Sequence, residues 1–333
     1  MEFRVERVVD AAGAGAWHAI DEVAEPFDHP GLLADPLEEL VAQLPDGTPS
    51  ERRAFYVAYV DGVAVAAGAT ELPMADNLHL ASLVLIVPPE LRRRSYGRQM
   101  FEFLREQCRA AGRSVLVGQV GAPLDGTSAG ESFAAAVGAR AVLEGIRSEL
   151  KLATIDRGAL HALEREALSL AAGYEVLQWI DRAPDEALEG IARLWGSFVV
   201  EAPMGGLSVE AESWDPTRIR ESEEATARRG RMRAATGARH VASRRLVAVT
   251  EIAVSRSRPQ IAYQWGTIVE SEHRGHRLGM LVKVANLRLL ERELTGVETV
   301  ETQSATVNAP MIAINTALGY RAVEKYAEWQ VEI

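Results

Sequence analysis

Hydrophobic positions along the chain repeat with two periods, and the switches between them divide it into elements. Strand-like runs at 54–60 ("AFYVAYV") and 63–72 ("VAVAAGATEL") flank Asp61-Gly62, a pair suited to a tight turn, and predict a β-hairpin. Met100, Phe101, Leu104 and Cys108 recur at helical spacing and predict a helix over 97–111 that stops at Gly112. The same reading gives a strand at 2–9, helical material from 12 to 43, strands at 78–87, 114–120 and 143–152, and a short helix at 129–137. The order then recurs: strand 174–179, helices within 184–230, a hairpin over 240–254, strand 260–269, helix 279–294, strand 297–303, helix 309–317 and strand 320–332. Between the two series, a helical pattern closes at Gly173.

The recurrence extends to single residues. Val87, Arg92 and Gly97 are matched by Val269, Arg274 and Gly279 at a constant offset of 182 (274 − 92). "AVGARAV" (136–142) and "ALGYRAV" (317–323) agree at 181 (317 − 136). Two landmarks in one order at nearly one offset point to a duplicated plan. The expected division is an N-terminal domain at 1–152, a linking helix at 153–172 and a C-terminal domain at 173–333.

Composition narrows the partners. With 333 residues, 47% of them hydrophobic, the chain can build two ordinary cores. Its net charge of −11 disfavours nucleic acid, which rewards a basic face. No apolar run is long enough to span a membrane, and "MEFRVERVVD" has no apolar leader segment. Cys108 is the single cysteine, so a reducing cytoplasm is expected. No histidine or cysteine grouping has metal-ligand spacing, so no metal is expected.

Against that acidic background, "EHRGHRLGMLVKVANLRLL" (272–290) gathers cations where a strand runs into a helix. The first turn of a helix offers N–H groups without intrahelical partners, and the helix dipole favours an anion there. Here the donors would be the backbone of Arg274, Gly275, His276, Arg277, Leu278, Gly279 and Met280, with Arg274, His276 and Arg277 adding charge. Arg92, Arg93, Arg94 and Arg98 surround Ser95 and Gly97 in the first copy. Neither a Rossmann nor a Walker glycine pattern is present, so the expected ligand is the pyrophosphate of another carrier.

The frame Arg92-x-x-Ser95-x-Gly97, with its repeat Arg274-x-x-Arg277-x-Gly279, resembles motif A of the GNAT superfamily of acyl-CoA-dependent N-acyltransferases. "NAPMIAINTALGY" (308–320) resembles that superfamily's asparagine-started helix ending in Leu-Gly-aromatic. The likeness covers both halves and is to tandem GNAT proteins of the actinobacterial kind. It implies two α/β GNAT folds in tandem, mixed twisted sheets flanked by helices, forming an internal pseudo-dimer that exists as a monomer or homodimer. Acetyl-CoA would be held by the turn, with pantetheine along Thr267, Ile268 and Val269 and the Val269 N–H polarising the thioester carbonyl. Asn308 would touch pantetheine or cap the last helix. Asn315, and Ala134 in the first copy, stand where many relatives carry a tyrosine that protonates the leaving thiolate. The C-terminal copy is the expected catalytic one, because Asn308 and the "LGY" helix are intact there. The N-terminal copy is expected to be structural or a second cofactor site.

The amine that attacks must be neutral, so a base is expected near the fourth strand. Glu251, within apolar "VAVTEIAV", and Glu301, within "VETVETQ", are the candidates, and alternation leaves the face each occupies open. Tyr263 and Trp265 read as packing, His273 and His276 as phosphate neighbours, and His240 as a surface residue. Segment 201–215, with Glu201, Glu210, Glu212 and Asp215, would cover a cationic acceptor or form a solvated loop. The expected activity is acetyl transfer to an amine of a small molecule. The alternatives are a non-catalytic acyl-CoA-binding protein or transfer to a peptide or protein amine.

Overall fold

In a computed structural model, which describes residues 2–44 and 47–333, the chain divides into two compact units that do not follow the sequence as two blocks. One unit holds Met1–Glu144 with Gly205–Glu210 and Glu324–Ile333; the other holds Gly145–Met204 and Ala211–Val323. The division expected at 1–152 and 173–333 is therefore redrawn, and the segment expected at 153–172 to link domains is an internal part of the second unit.

The first unit begins with β1 (Phe3–Arg7) and α1 (Ala11–Asp28), whose N-terminus is capped by the Asp10 carboxylate accepting from Gly13 N–H at 2.9 Å. The short α2 (Leu37–Val41) leads to β2 (Glu51–Val60) and β3 (Val63–Pro73). The hairpin between them turns at Asp61 and Gly62, where φ is 49° and 81°. β4 (Leu80–Ile86), α3 (Tyr96–Ala110), β5 (Val115–Ala122) and α4 (Ala129–Ala136) follow, and then β6 (Arg140–Lys151), which leaves the unit after Glu144. The strands run in the order β1-β2-β3-β4-β5, antiparallel except for the parallel pair β4–β5. Trp17 and Ile20 of α1 cover Phe55, Val57 and Ala67 on one face. On the other, Met100 and Leu104 of α3 cover Tyr56, Ala58 and Ala66.

The second unit repeats the plan with α5 (Arg157–Leu170), β7 (Tyr174–Ile180), α6 (Leu188–Gly196), α7 (Phe198–Glu201), α8 (Pro216–Arg228), β8 (Arg231–His240), β9 (Leu246–Ser255), β10 (Ile261–Val269), α9 (Leu278–Glu293), β11 (Thr299–Ala305) and α10 (Ala309–Leu318), after which β12 (Arg321–Glu332) passes into the first unit at Glu324. Its sheet runs β7-β8-β9-β10-β11-β6, with only β10–β11 parallel. α9 is buried nearly all round, because Leu160 and Ala167 of α5 join its outer side to the core it shares with Val247, Ile252 and Val300. α6 and α8 cover the opposite face, with Ile191, Leu194 and Ile219 against Ala235 and Val249.

Two features depart from the sequence reading. The hairpin expected over 240–254 starts at Arg231, because β8 carries arginines and small residues rather than an apolar alternation. And the last strand of each sheet comes from the other half of the chain. β6 closes the second unit through Gly145–Lys151 paired with Ala305–Thr299, while β12 closes the first through Lys325–Glu332 paired with Ala122–Val115. Leu150 lies in the N-terminal half of the sequence yet is fully buried in the core of the second unit. Leu150→Ala should destabilise that unit by about 2–5 kcal/mol in urea denaturation, the range for a buried leucine truncated to alanine. A cost under about 1 kcal/mol would mean this strand does not hold the core.

Candidate active site

Parallel pairing between β10 and β11 covers Ile261–Gln264 against Thr299–Thr302 and then ends, although β10 runs on to Val269. β4 and β5 behave alike, pairing from Leu80–Ser82 to Val115–Val117 before β4 continues to Ile86. The parted strands leave main-chain groups for a ligand. In β10 a bulge at Trp265-Gly266 accompanies the parting. Gly266 is required there, since a Cβ would lie 2.5 Å from the Trp195 indole that α6 presses onto it. The Gln264 amide satisfies the bulge by donating to Thr250 Oγ1 (3.0 Å), the Glu251 carbonyl (2.7 Å) and the Trp265 carbonyl (3.1 Å).

Past each parted strand the two turns have the same backbone. Arg92 and Arg274 share φ/ψ of −66°/163° and −68°/163°. Arg93 and Gly275 follow at φ 64° and 85°, and Ser95 and Arg277 at 68° and 58°. Alternating left-handed residues turn successive N–H groups toward one point, as in an anion-binding nest. Ser95 and Arg277 are the N-caps of α3 and α9 and make no side-chain capping bond, so the first-turn donors stay open. Gly97 and Gly279 sit within those first turns, where a Cβ would reach 3.4 Å from Phe133 of α4 and 3.1 Å from Ile314 of α10. Leu278 and Met280 offer only their backbones, their side chains being buried in the core.

The cations of the second turn are spent on the protein itself, contrary to expectation. Arg274 donates to the Glu201 carboxylate (2.5 Å) and carbonyl (3.2 Å), and Arg277 swings outward onto Glu166. The His276 ring lies 3.3 Å from the Leu170 carbonyl, and His273 shares a hydrogen bond of 2.9 Å with the Tyr174 hydroxyl. In the first unit Arg92 is likewise tied down, bidentate to Asp28 at 2.8 and 2.5 Å and to the Val87 carbonyl at 3.0 Å. Arg93, Arg94 and Arg98 differ. Among the described residues none meets a carboxylate; Arg94 and Arg98 reach only the carbonyls of Glu90 and Ala136.

Glu251 does not lie on a solvated face. It is 4% exposed, between Ala235 and the β10 bulge, on the face covered by α6 and α8. Burial pushes its carboxyl up and the Arg233 guanidinium, 3.5 Å away, pulls it down. Arg233 is in turn held by Thr226 Oγ1 (2.7 Å) and lies 5.1 Å over the Trp265 ring. Glu301 is also buried, with Arg147 3.7 Å away, and the strand register puts it on the same face as Tyr263 and Ala253. Thr267 bonds Thr250 through their hydroxyls at 2.7 Å, Ile268 is buried under α6, and Val269 packs on the α9 core. Asn308 is a helix cap, accepting from Met311 N–H at 3.3 Å. Asn315 is buried and donates to Ser304 Oγ (3.1 Å), and its carbonyl oxygen has no hydrogen bond among the described residues.

Of the acidic loop, Glu212 binds Trp214 and Arg218, Asp215 caps α8, Glu201 holds Arg274, and the Glu210 backbone joins Asn77 in the first unit. These bonds tie the acidic side chains and backbone of the segment to other residues of the protein. Among the described residues no group of three histidines, cysteines or carboxylates can hold a metal, and no helix is long and apolar enough to cross a membrane. One constellation escaped sequence reasoning altogether. In the first unit, His29 and Glu25 lie beside Glu324, 295 positions from His29, and Asp21 lies beside Glu25. The only signal was an acid, Asp21, at core spacing from Trp17 and Ala24.

No family model and no curated protein matches the chain. Solved structures do. A tandem GNAT protein from the clavulanic acid biosynthesis pathway superposes with a TM-score of 0.81 at 28% identity, covering 99% of this chain and 98% of that one. A GCN5-related N-acetyltransferase from Sphaerobacter thermophilus matches at TM-score 0.67 and 16% identity, over 99% and 95% of the two chains. A putative acetyltransferase from Pyrococcus horikoshii matches at 0.58 and 15%, over 99% and 89%. In fold, and in carrying that fold twice, the chain matches the tandem proteins of the GNAT acetyltransferase superfamily.

Proposed function

We propose that the chain is an acetyl-CoA-dependent N-acetyltransferase acting on an amine of a small molecule. The observation that carries this is the left-handed turn at the end of a parted strand, with an open row of N–H donors, formed twice from unlike residues. Such a row suits a diphosphate. The residues fit coenzyme A: Gly275, His276, Leu278, Gly279 and Met280 would grip the diphosphate through the backbone in the second unit. In the first, Ser95 and Gly97 would do so with Arg93, Arg94 and Arg98 adding charge. When bound, coenzyme A supplies the activated acetyl thioester.

The chain's own residues do the rest. Trp195 packs closely on Gly266 at the β10 bulge, beside the parted strands. Glu251, buried opposite the β10 bulge, is the reading's base, taking the proton from the acceptor ammonium; Arg233 keeps it ionisable inside the protein. Glu301 is the second candidate. The likeness to a tandem GNAT protein from a small-molecule biosynthesis pathway favours a small acceptor over a protein. A non-catalytic acyl-CoA-binding role is the second reading. Asn315 favours it, because a buried amide bonded to Ser304 is no proton donor to a leaving thiolate.

Calorimetric titration with acetyl-CoA should give binding and its stoichiometry. Gly279→Glu should abolish binding to the second unit by filling the space between α9 and Ile314, with the fold checked by circular dichroism; unchanged affinity removes that turn from the site. Glu251→Gln should lower kcat/KM about 10²–10⁴-fold, the range for a lost acid–base group, with acetyl-CoA affinity retained. The assay is thiol release from acetyl-CoA against a panel of primary amines. No release by the wild-type chain with any of them would favour the binding-only reading.

A further inference from the structure

α9 buries a lysine whose amine has no partner. Lys283 is 1% exposed and, among the described residues, makes no hydrogen bond and no ion pair. Its Nζ lies 5.4 Å from the centre of the ring of Tyr320, just past α10. The Tyr320 hydroxyl is itself buried without a hydrogen bond among the described residues, and so is the Asn315 carbonyl oxygen of α10. Burial alone pushes the Lys283 amine down to about 7, and it raises the Tyr320 phenol. In a purely structural core an apolar side chain of the same volume would pack there without the cost of desolvating a charge.

The place of Lys283 on the helix relates it to the turn. Gly279, in the first turn of α9, faces α10, since a Cβ there would lie 3.1 Å from Ile314. Lys283 is four residues on, hence on the same face and about 6 Å further along the axis. Helical side chains lean toward the N-terminus of their helix, which carries the Lys283 stem back toward that first turn. Tyr320 is the titratable side chain shown beside its amine. α10 and β10 contain no charged residue. Arg233, Glu251 and Glu301 adjoin Ala234, Ile252 and Val300 of the α9 core along their strands, so they occupy the opposite face of the sheet. Glu175 of β7 binds Arg239, and on α5 Glu164 and Glu166 reach out to Arg288 and Arg277.

We propose that Lys283 is the buried counter-charge of the second unit's anion site: its amine takes up a proton as a diphosphate seats on the first turn of α9. Without an anion, the apolar surroundings and the positive end of the helix dipole both disfavour an ammonium one turn in. A diphosphate on that turn reverses the balance, because its charge acts on the amine through a medium of low dielectric. The inference rests on reading the turn as a diphosphate site, and it concerns ionisation rather than acetyl transfer.

The sign of the pH dependence follows. Above pH 7 the amine of the free protein loses its proton and binding must draw one back, so affinity weakens as pH rises from 7 to 9. Calorimetry on the full chain uses acetyl-CoA, with inorganic pyrophosphate as a second probe. At pH 8 the heat should vary with the buffer's ionisation enthalpy in the sense of proton uptake, and affinity should fall about tenfold from pH 7 to pH 9. Lys283→Met should abolish the uptake and flatten the profile, binding about tenfold more weakly than wild type at pH 7 and nearly equally at pH 9. Urea denaturation reads the same group without ligand. The folded-state pKa of Lys283 lies below its unfolded value, so the unfolded chain holds the extra proton between the two. Wild-type stability relative to Lys283→Met should therefore rise with pH above 7, by up to about tenfold in the folding constant per pH unit. The wild-type uptake needs no variant, so the test stands even if Lys283→Met fails to fold. Acetyl-CoA binding without proton uptake, or with a pH profile that Lys283→Met shares, overturns this proposal and leaves the cofactor standing. Pyrophosphate binding with uptake but no acetyl-CoA binding keeps Lys283 and removes the cofactor; binding of neither overturns both.

Discussion

Everything at the candidate site depends on two parallel strands that stop pairing. β10 and β11 exchange hydrogen bonds only as far as Gln264 and Thr302, and the main chain beyond needs other partners. β10 answers with a bulge whose carbonyls are satisfied by the Gln264 amide and whose glycine admits the Trp195 ring. The strand then feeds a turn that passes through left-handed residues at Gly275 and Arg277 into the start of α9.

The two units spend their positive charge differently. In the second, every cation of the turn is answered from within, through Glu201, Glu166, Tyr174 or the Leu170 carbonyl. In the first, Arg92 is locked and, among the described residues, Arg93, Arg94 and Arg98 meet no carboxylate. An arginine one turn from a capped acid orders the turn rather than the ligand. So the motif arginine, Arg92 or Arg274, works as a brace in both units, tying the turn to the end of α1 or of α7.

Completion of each sheet by a strand from the other half has a chemical consequence. β12 brings Glu324 to the first unit, where it meets His29 across 295 positions of sequence. It also brings Gln330, whose amide binds Ser208 in the short segment that joins this unit from the second half. The titratable group of the first unit therefore cannot be found within residues 1–152 alone.

The sequence by itself determined the local elements, the duplication and both turns, because these rest on short-range rules: hydrophobic period, glycine and DG punctuation, and the offset linking Arg92 to Arg274. It marked Gly97 and Gly279 as landmarks of the two turns, and Asn308 as a helix start. It could not tell which face Glu251 occupies, since alternation fixes a period and not its phase; packing of α6 and α8 decided that. Nor could it pair Arg277 with Glu166 or Arg92 with Asp28, because flexible side chains choose partners by distance in space. β8 was missed for the same reason: Arg233 is buriable only because Glu251 and Thr226 surround it. Periodicity is written in neighbouring residues, while charge compensation and strand exchange are settled only when remote parts of the chain meet.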